Sequence, residues 1–388
     1  MMIVAYKMLV GDRAKYIGII MGLTFAALLM TQQASIFVGL MSRTFNFIAD
    51  TGQPDIWVMD EKVQYIDDVK PMQDTQLLRV RGVEGVEWAV PLYKGLLKAR
   101  LADGTFQTCN IVGLDDTTLL GGPPVMLEGK LEDLRRADGV IVDQDGARGK
   151  LAKVDPVTGE MIRALQVGDS LEVNDRRAIV VGICKVSPTF GSQPTVYTTY
   201  SRAISFAPRE RKQLSFVLVK ARAGEEVEQV AARIEATIGL KALPAADFKW
   251  ETVMYYVENT GIAINFGITV VLGFIVGTAI AGQTFYNFTQ DNLKQFGTLK
   301  AMGATNFMLL RMIVLQAVVV GLLGYGLGVG VAALFGNSPI VVSGDFAFRL
   351  LQENLLISAA AMVLICTGSA LISIIKVIRL EPAIVFKG

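Results

Sequence analysis

The sequence predicts a membrane protein with four transmembrane α-helices, one before and three after a large α+β domain that lies outside the membrane. Three observations lead to this fold class. The chain is rich in apolar residues, with 52% hydrophobic and 19% charged side chains among 388 residues. Four apolar runs are long enough to cross a bilayer, which takes roughly 20 residues. The segment between the first two runs, residues 42–260, has the composition of a soluble domain.

The four predicted spans contain no acidic side chain. Arg311 is their only basic residue, and it lies one turn inside the third span, where its side chain can reach the lipid headgroups. Four buried helices of a soluble protein would need a much larger core than this chain can form. We assign the spans to residues 17–41, 261–286, 307–335 and 355–375.

Basic residues flank the spans unevenly and therefore predict the topology. They concentrate in residues 1–16, 287–306 and 376–388, which we expect in the cytoplasm: Lys7, Arg13, Lys15, Lys294, Lys300, Lys376, Arg379 and Lys387. The short loop 336–354 carries one basic and two acidic residues and belongs outside, with residues 42–260. The prediction is a multi-pass protein of a bacterial cytoplasmic membrane, with both termini inside and the large domain in the periplasm.

The first apolar run resembles a signal peptide but is too long for one. It continues from Ile17 to Met41, whereas the core of a signal peptide has about 7–15 apolar residues. We therefore expect an uncleaved anchor. Residues 1–16 fit an amphipathic helix on the cytoplasmic surface and fit a simple continuation of the first span equally well.

Residues 42–260 show the mixed pattern of an α+β domain, in one piece or two subdomains. The pairs Asn174-Asp175 and Asp103-Gly104 predict turns, each followed by a strand. Residues 225–238 place apolar side chains on one helical face and predict a helix.

The composition argues against most kinds of enzyme. Histidine is absent from the chain, which removes Ser-His-Asp and Cys-His pairs as well as His-based metal sites. We predict no catalytic residue and no metal site. A net charge of +1 also gives no indication of a nucleic-acid partner.

Two short motifs resemble sites of chemistry but lack residues that the chemistry needs. Gly168-Asp169-Ser170-Leu171 spells the nucleophile block of GDSL hydrolases, which need a histidine to activate the serine, so we interpret it as a turn that opens a strand. Gly129-Lys130 and Gly149-Lys150 are each followed by leucine and form no Walker A site. We therefore expect no cofactor in this chain, and any ATP must be bound by another subunit.

The three cysteines match no metal-ligand spacing. Cys366 lies in an apolar run and is interpreted as a small buried hydrophobe. Cys109 and Cys184 both lie in the predicted periplasmic domain, where a disulfide can form if their Cα atoms are close enough. The sequence leaves that pairing open.

Glycines four residues apart predict close helix packing within the bilayer. The third span contains two such pairs and the second span one. These pairs fit packing within the chain and dimerisation equally well: Gly324 and Gly328, Gly326 and Gly330, and Gly273 and Gly277.

The connection between the second and third spans, residues 287–306, is the most informative segment. Its apolar residues fall largely on one side of a helix: Phe288, Leu293, Phe296, Leu299 and Met302. Gly303 then provides a stop signal. The pattern predicts a short amphipathic helix at the inner membrane surface, although a plain connector would also fit.

Residues 296–305, FGTLKAMGAT, resemble the signature between the second and third spans of the FtsX/MacB permease superfamily, commonly E-[IL]-G-x-L-[KR]-A-[ILM]-G-A. The 1+3 arrangement, the glycine-rich third span, Val83-Glu84-Gly85-Val86 and the tail 380–386 agree with that resemblance. Two positions depart from it, because the usual acidic residues are replaced by Gln295 and Gln316. The separate-permease arrangement is similar to that of DevC-type glycolipid exporters.

The resemblance implies a MacB-like periplasmic core domain and a non-catalytic subunit that couples ATP hydrolysis to motion of this domain. Two partner ATPase subunits would bind ATP and magnesium, and the permease would form a homodimer or pair with a paralogue. Stalks at residues 42–49 and 248–257 would carry the motion. The residues implied to contact the ATPase are Phe288, Leu293, Phe296, Gly297, Thr298, Leu299, Lys300, Ala301, Met302 and Gly303.

The resemblance implies export of a hydrophobic or amphiphilic substrate through a periplasmic adaptor and an outer-membrane channel. The size of residues 42–260 favours this function. FtsX-like regulation of a cell-wall hydrolase and LolC/E-like lipoprotein extraction stay open as alternatives. Membrane lipid is a further expected partner.

Overall fold

A computed structural model describes residues 2–11, 13–101, 103–155, 161–208, 214–342 and 346–378. The chain forms two compact units: a membrane unit, Met1–Leu40 with Gly261–Gly388, and an ectodomain, Met41–Thr260. Each unit has its own hydrophobic core. The tail 380–386 and the basic residues Arg379 and Lys387, which entered the sequence predictions, lie outside the described residues.

The ectodomain combines helices and strands, whereas the described residues of the membrane unit have only helices as regular structure. The helices are α1 Met2–Gly11, α2 Arg13–Thr51, α3 Thr75–Arg81, α4 Gln144–Arg148, α5 Tyr200–Phe206, α6 Val227–Ile238, α7 Ala245–Asn259, α8 Ile262–Asp291, α9 Leu293–Ala301, α10 Asn306–Gly336, α11 Pro339–Val342 and α12 Gln352–Ile378. The strands are β1 Ile56–Met59, β2 Val86–Arg100, β3 Phe106–Leu114, β4 Val125–Glu128, β5 Gly139–Asp143, β6 Lys153–Val154, β7 Met161–Arg163, β8 Ser170–Val173, β9 Arg176–Lys185, β10 Thr195–Thr199, β11 Phe216–Ala221 and β12 Lys241–Pro244.

Four helices of the described residues, α2, α8, α10 and α12, are long and apolar enough to cross a membrane. They coincide with the four predicted spans and confirm the 1+3 arrangement. Their bounds differ in two informative ways. Helix α2 has 39 residues and continues without a break to Thr51, through the first predicted stalk. Helix α8 continues to Asp291, so residues 287–291 form its last turn and do not belong to the connecting helix.

The N-terminal segment is helical over its described residues. Helix α1 ends at Gly11 and α2 begins at Arg13, and the residue between them lies outside the described residues, so both interpretations of this segment stay open. Ala5 and Leu9 are buried in the core of the membrane unit. The side-chain amide of Gln316 in α10 donates a hydrogen bond of 2.8 Å to the carbonyl oxygen of Ala5. Helix α1 is therefore attached to α10 by apolar and polar contacts.

The ectodomain is built on one mixed ten-stranded sheet. Its strand order is β12-β1-β11-β2-β3-β10-β5-β9-β4, and β8 pairs with both β2 and β9. The pairs β3–β10 and β5–β9 are parallel, and the other pairs of this sheet are antiparallel. Strands β6 and β7 form a separate hairpin. The α+β prediction for residues 42–260 is confirmed.

The local predictions for this domain also hold. Asn174 and Asp175 both have positive φ, 47° and 61°, and connect β8 to β9 in a two-residue hairpin turn. Gly104 has φ of 85° before β3. Gly239 ends α6 in the left-handed region. Of the five residues that the helical pattern placed on one face of α6, Val227 is half-buried and the other four are buried: Val230, Ala231, Ile234 and Ile238.

The two ectodomain cysteines are free and buried. Cys109 lies on β3 and Cys184 on β9, and β10 and β5 separate these strands. Three strand spacings of about 4.8 Å place the two cysteines about 14 Å apart across the sheet, whereas a disulfide needs Cα atoms within about 7 Å. The two side chains also belong to different core clusters. The pairing that the sequence left open therefore does not occur in this fold.

Candidate functional site

The connection between α8 and α10 folds as the short helix α9 with a defined end at each terminus. At its C-terminus, the Gly303 N–H donates to the Lys300 carbonyl and the Ala304 N–H donates to the Leu299 carbonyl, each at 3.0 Å. With Gly303 at φ of 98°, these bonds form a Schellman motif. The hydroxyl of Thr305 then accepts from the Met308 N–H at the start of α10. The predicted stop at Gly303 is confirmed.

Helix α9 is attached to the membrane unit through buried residues. Phe296 has no exposed surface and lies in the same core cluster as Phe288, which belongs to the last turn of α8. Gly297 is also buried. At the end of α8, Asp291 forms an ion pair with Lys15 in the first turn of α2. These contacts connect α9 to the core of the membrane unit and α8 to α2.

The side of α9 that faces away from the core is mostly polar and shares only Met302 with the apolar side that the sequence predicted. We call it the exposed α9 face, and it consists of Lys294, Gln295, Thr298, Ala301 and Met302. Leu293 and Leu299 are partly buried and pack against the membrane-unit core. Met302 is 72% exposed, and Phe307 at the start of α10 is 66% exposed. The apolar contribution to this surface therefore comes from Met302 and Phe307.

The predicted coupling residues thus fall into three groups. Phe288, Phe296 and Gly297 are buried within the chain and cannot offer a surface to a partner. Leu293, Leu299 and Lys300 are intermediate. Thr298, Ala301, Met302 and Gly303 are exposed. Of the two positions that depart from the family signature, Gln295 is exposed whereas Gln316 is buried at 1% exposure.

Four of the six predicted packing glycines contact the first span. Beta carbons added at Gly277 and Gly324 would lie 2.6 Å from the Cβ atoms of Ala26 and Leu23, respectively. One added at Gly328 would lie 2.7 Å from the carbonyl oxygen of Thr24, and Gly273 faces Leu29 and Met30. By contrast, Gly326 and Gly330 have nothing within 4 Å of such an atom. Packing within the chain therefore explains two of the three pairs.

Comparison with known families agrees with this architecture. A family model described as the MacB-like periplasmic core domain matches residues 17–237, and one described as the FtsX-like permease C-terminal domain matches residues 267–382. The chain belongs to the FtsX/MacB-like ABC transporter permeases. Its four membrane helices and its large domain outside the membrane are the two parts of this family architecture.

The relatives and solved structures are distant. Two relatives, each described as an uncharacterized ABC transporter permease of Mycobacterium tuberculosis, are 24% identical over 322 residues, which cover 82% of this chain and 80% of the relative. The periplasmic region of MacB from Actinobacillus actinomycetemcomitans is 12% identical, covers 55% of this chain and 96% of its own, and has a TM-score of 0.36. The extracellular domain of YknZ from Gram-positive bacteria is 12% identical and has a TM-score of 0.34, and the match covers 49% of this chain and 98% of the YknZ domain.

The GDSL-like segment of the permease has a structural role. Ser170 is exposed at the start of β8, as the sequence predicted, and Gly168 has φ of 94°. The Asp169 carboxylate accepts hydrogen bonds from Arg163 at 2.7 and 2.8 Å and from Lys153 at 2.7 Å. The Arg163 guanidinium, with help from Lys153, holds the pKa of Asp169 well below its usual range. Asp169 thus attaches the β6–β7 hairpin to the turn before β8.

Residues that could bind a metal or act as nucleophiles are few in this permease. Within the described ranges, no group of three or more Cys, Asp or Glu side chains has the geometry to hold a metal ion. Burial raises the pKa of Cys109 to about 12, with a smaller effect from Asp143. Burial also raises the pKa of Cys184. Both thiols are therefore protonated at neutral pH and are poor nucleophiles.

Proposed function

We propose that this permease is the membrane subunit of a mechanotransmission ABC exporter, in which a separate ATPase drives motion of the ectodomain to move a hydrophobic or amphiphilic substrate. ATP and magnesium are bound by that ATPase. Two permease chains, as a homodimer or with a paralogue, and two ATPase subunits form the complex. A periplasmic adaptor and an outer-membrane channel complete the export path. Both chain termini face the cytoplasm in this arrangement.

The observation that carries this proposal is the exposed α9 face together with its rigid support. Thr298 and Met302 lie one turn apart on this face, and Phe307 adds a second exposed apolar side chain. A short helix with exposed apolar anchors is suited to a groove on a partner protein. On the other side of α9, Phe296 is fully buried. A displacement of α9 is therefore passed to the bundle and is not absorbed by a flexible loop.

A path for the displacement follows from one ion pair and one continuous helix. The Lys15–Asp291 ion pair joins the end of α8 to the first turn of α2. Helix α2 then continues without interruption to Thr51, which belongs to the ectodomain unit. A helix is stiff along its axis because each turn is hydrogen-bonded to the next. We infer that α2 transmits movement from the ATPase side to the ectodomain.

The proposal is tested by isolating the tagged full-length permease from its native membranes and identifying co-purifying proteins by mass spectrometry. We expect an ATPase with a Walker A sequence. In reconstituted complexes, Met302→Asp should weaken ATPase binding about tenfold or more, because it places a charge in an apolar contact. Met161→Asp is the matched control, since Met161 is 61% exposed on β7 in the ectodomain. It should leave ATPase binding unchanged.

Leu299→Asp would be a less specific test. Leu299 packs against the core of the membrane unit, so a charge there would disturb the bundle as well as any partner contact. If Met302→Asp and Met161→Asp bind and stimulate the ATPase equally, the exposed α9 face is not the coupling surface. Co-purification of a cell-wall hydrolase without an adaptor would instead favour regulation over export. Recovery of lipoproteins would favour lipoprotein extraction.

A further inference from the structure

The ectodomain contains a cleft that the proposed ATPase coupling does not use. Its volume is about 650 Å³, within the range of roughly 300–1,000 Å³ typical of small-molecule sites. The floor is formed by the paired strands β2 and β3, and the walls come from residues 67–71 and 189–193. Both walls belong to the ectodomain unit.

The strand register brings a cation and an amide to the same floor. Lys94 and Leu96 are two residues apart on β2, and Leu96 lies directly opposite Asn110 on β3. Side chains at these positions project from one face of a sheet. The Lys94 side chain is only 5% exposed and its ammonium forms an ion pair with Asp67. It also lies 5.4 Å from the centre of the Phe47 ring.

Asn110 supplies the observation that points to a ligand. The residue is 6% exposed and lines the cleft. Its side-chain oxygen is buried and has no hydrogen-bond partner among the described residues. Its backbone N–H, by contrast, donates to the Pro194 carbonyl at 2.8 Å. A buried acceptor without a donor is unfavourable, and such groups in native proteins call for a donor from outside the chain.

The surrounding charges restrict what that donor can be. An ammonium ion would lie near Lys94, whereas a carboxylate or a fully ionised phosphate would lie near Asp67 and has no proton for the Asn110 side-chain oxygen. A hydroxyl group can donate to Asn110 and also accept from the Lys94 ammonium, which has three donors. Val69, Pro71 and Leu96 add apolar surface for the carbon skeleton.

We propose that this cleft binds a neutral, hydroxyl-bearing small molecule of the sugar or polyol type. Lys94 and Asn110 form its polar floor, and Asp67 keeps the local charge balanced. The interpretation of this ligand as the polar part of an amphiphilic cargo rests on the proposed export function. Binding itself does not, because it is measured on the permease without its ATPase. A failure of binding and a failure of ATPase coupling are therefore separate results.

The experiment uses the full chain in phosphatidylcholine nanodiscs, whose headgroups carry no hydroxyl, and saturation-transfer NMR with maltose as the probe. We expect transfer to maltose protons and at least a fivefold loss of this signal in Asn110→Leu. Gln229→Leu, which also replaces a side-chain amide with leucine but on the exposed side of α6, should keep the full signal. Glutarate, a dianion of small size, should give less transfer than maltose.

A second variant covers the case in which Asn110→Leu does not fold. Leu96 is 54% exposed at the cleft, so Leu96→Trp narrows the opening without disturbing the core, and it should also lose the maltose signal. Asn110→Leu removes no hydrogen bond of the Asn110 side-chain oxygen, so its unfolding temperature should be at least that of the wild type. The proposal is overturned if the wild type shows no transfer to maltose, if neither variant reduces it, or if glutarate binds better.

Discussion

The membrane unit and the ectodomain stabilise their cores in different ways. In the membrane unit, Gly328 lets α10 approach α2 so closely that an added Cβ would lie 2.7 Å from a backbone oxygen of Thr24. In the ectodomain, Trp57 packs edge-on against Phe216 with ring centres 5.5 Å apart. Within a lipid bilayer the hydrophobic effect does not drive helices together, so close packing must stabilise their association. In water the hydrophobic effect itself drives the burial of aromatic rings. Added atoms should therefore damage the first unit, and removed atoms the second.

The largest effect is expected from Phe216→Ala in the ectodomain. Phe216 is fully buried and also contacts Phe248, at 6.1 Å between ring centres. Removing the ring should lower the free energy of unfolding by about 3–5 kcal/mol. All three tryptophans of the chain lie in the ectodomain, so tryptophan fluorescence of the full-length protein reports on this unit alone. Leu78→Ala, at a 66% exposed position, is the control and should change little.

Two glycines of α10 provide the complementary test in the membrane unit. Gly328→Ala should destabilise the bundle by about 1–3 kcal/mol, because the contacts that a Cβ would meet include backbone atoms of α2. A Cβ added at Gly330 would have nothing within 4 Å. Gly330→Ala should therefore leave the stability of the bundle unchanged or raise it by up to about 1 kcal/mol, because alanine has the higher helix propensity. Opening of the bundle can be followed by thiol labelling of the buried Cys366 during detergent titration. Equal labelling of the two variants would contradict the packing that distinguishes these glycines.

A smaller, pH-dependent effect is expected for Asp169→Asn in the ectodomain. The variant weakens the hydrogen bonds from Arg163 and Lys153. This should lower the free energy of unfolding by about 1 kcal/mol after allowance for solvent screening. Because the pKa of Asp169 is lowered in the folded state, its stabilising contribution is complete at neutral pH and is lost as the pH falls below about 4. The difference from the wild type should therefore shrink on acidification. A difference that grows at low pH would mean that Asp169 stabilises the fold by another route.

Helix α9 illustrates how far pattern alone could predict the site. The signature at residues 296–305 located the segment, and Gly303 gave its end correctly. The 3.6-residue pattern also placed Phe288 and Phe296 on one apolar side, but that side is turned toward the core of the membrane unit. A helical pattern identifies an apolar face without saying whether the chain itself or a partner covers it. The exposed α9 face could be found only from the packing of Phe296 and Gly297.

Lys94 is the one member of the cleft that stands out in its local sequence. It stands within an apolar stretch of β2, between Tyr93 and Leu96, where a charged residue is unusual. Its ion-pair partner Asp67 lies in the loop before α3, and Asn110 lies opposite Leu96 on the paired strand β3. Register between strands joins residues that no local pattern connects. The cleft was therefore invisible until the strands were paired.

The sequence by itself determined the four membrane spans, the α+β character of the ectodomain, and the family signature at residues 296–305. These features depend on local composition, length and turn chemistry, which act within a few residues of each other. Only the tertiary structure decided that Cys109 and Cys184 are separate, that Gly324 and Gly328 pack against α2, and which side of α9 is exposed. Those outcomes depend on contacts between segments far apart along the chain. A single sequence names candidate residues for such contacts but does not give the distances between them.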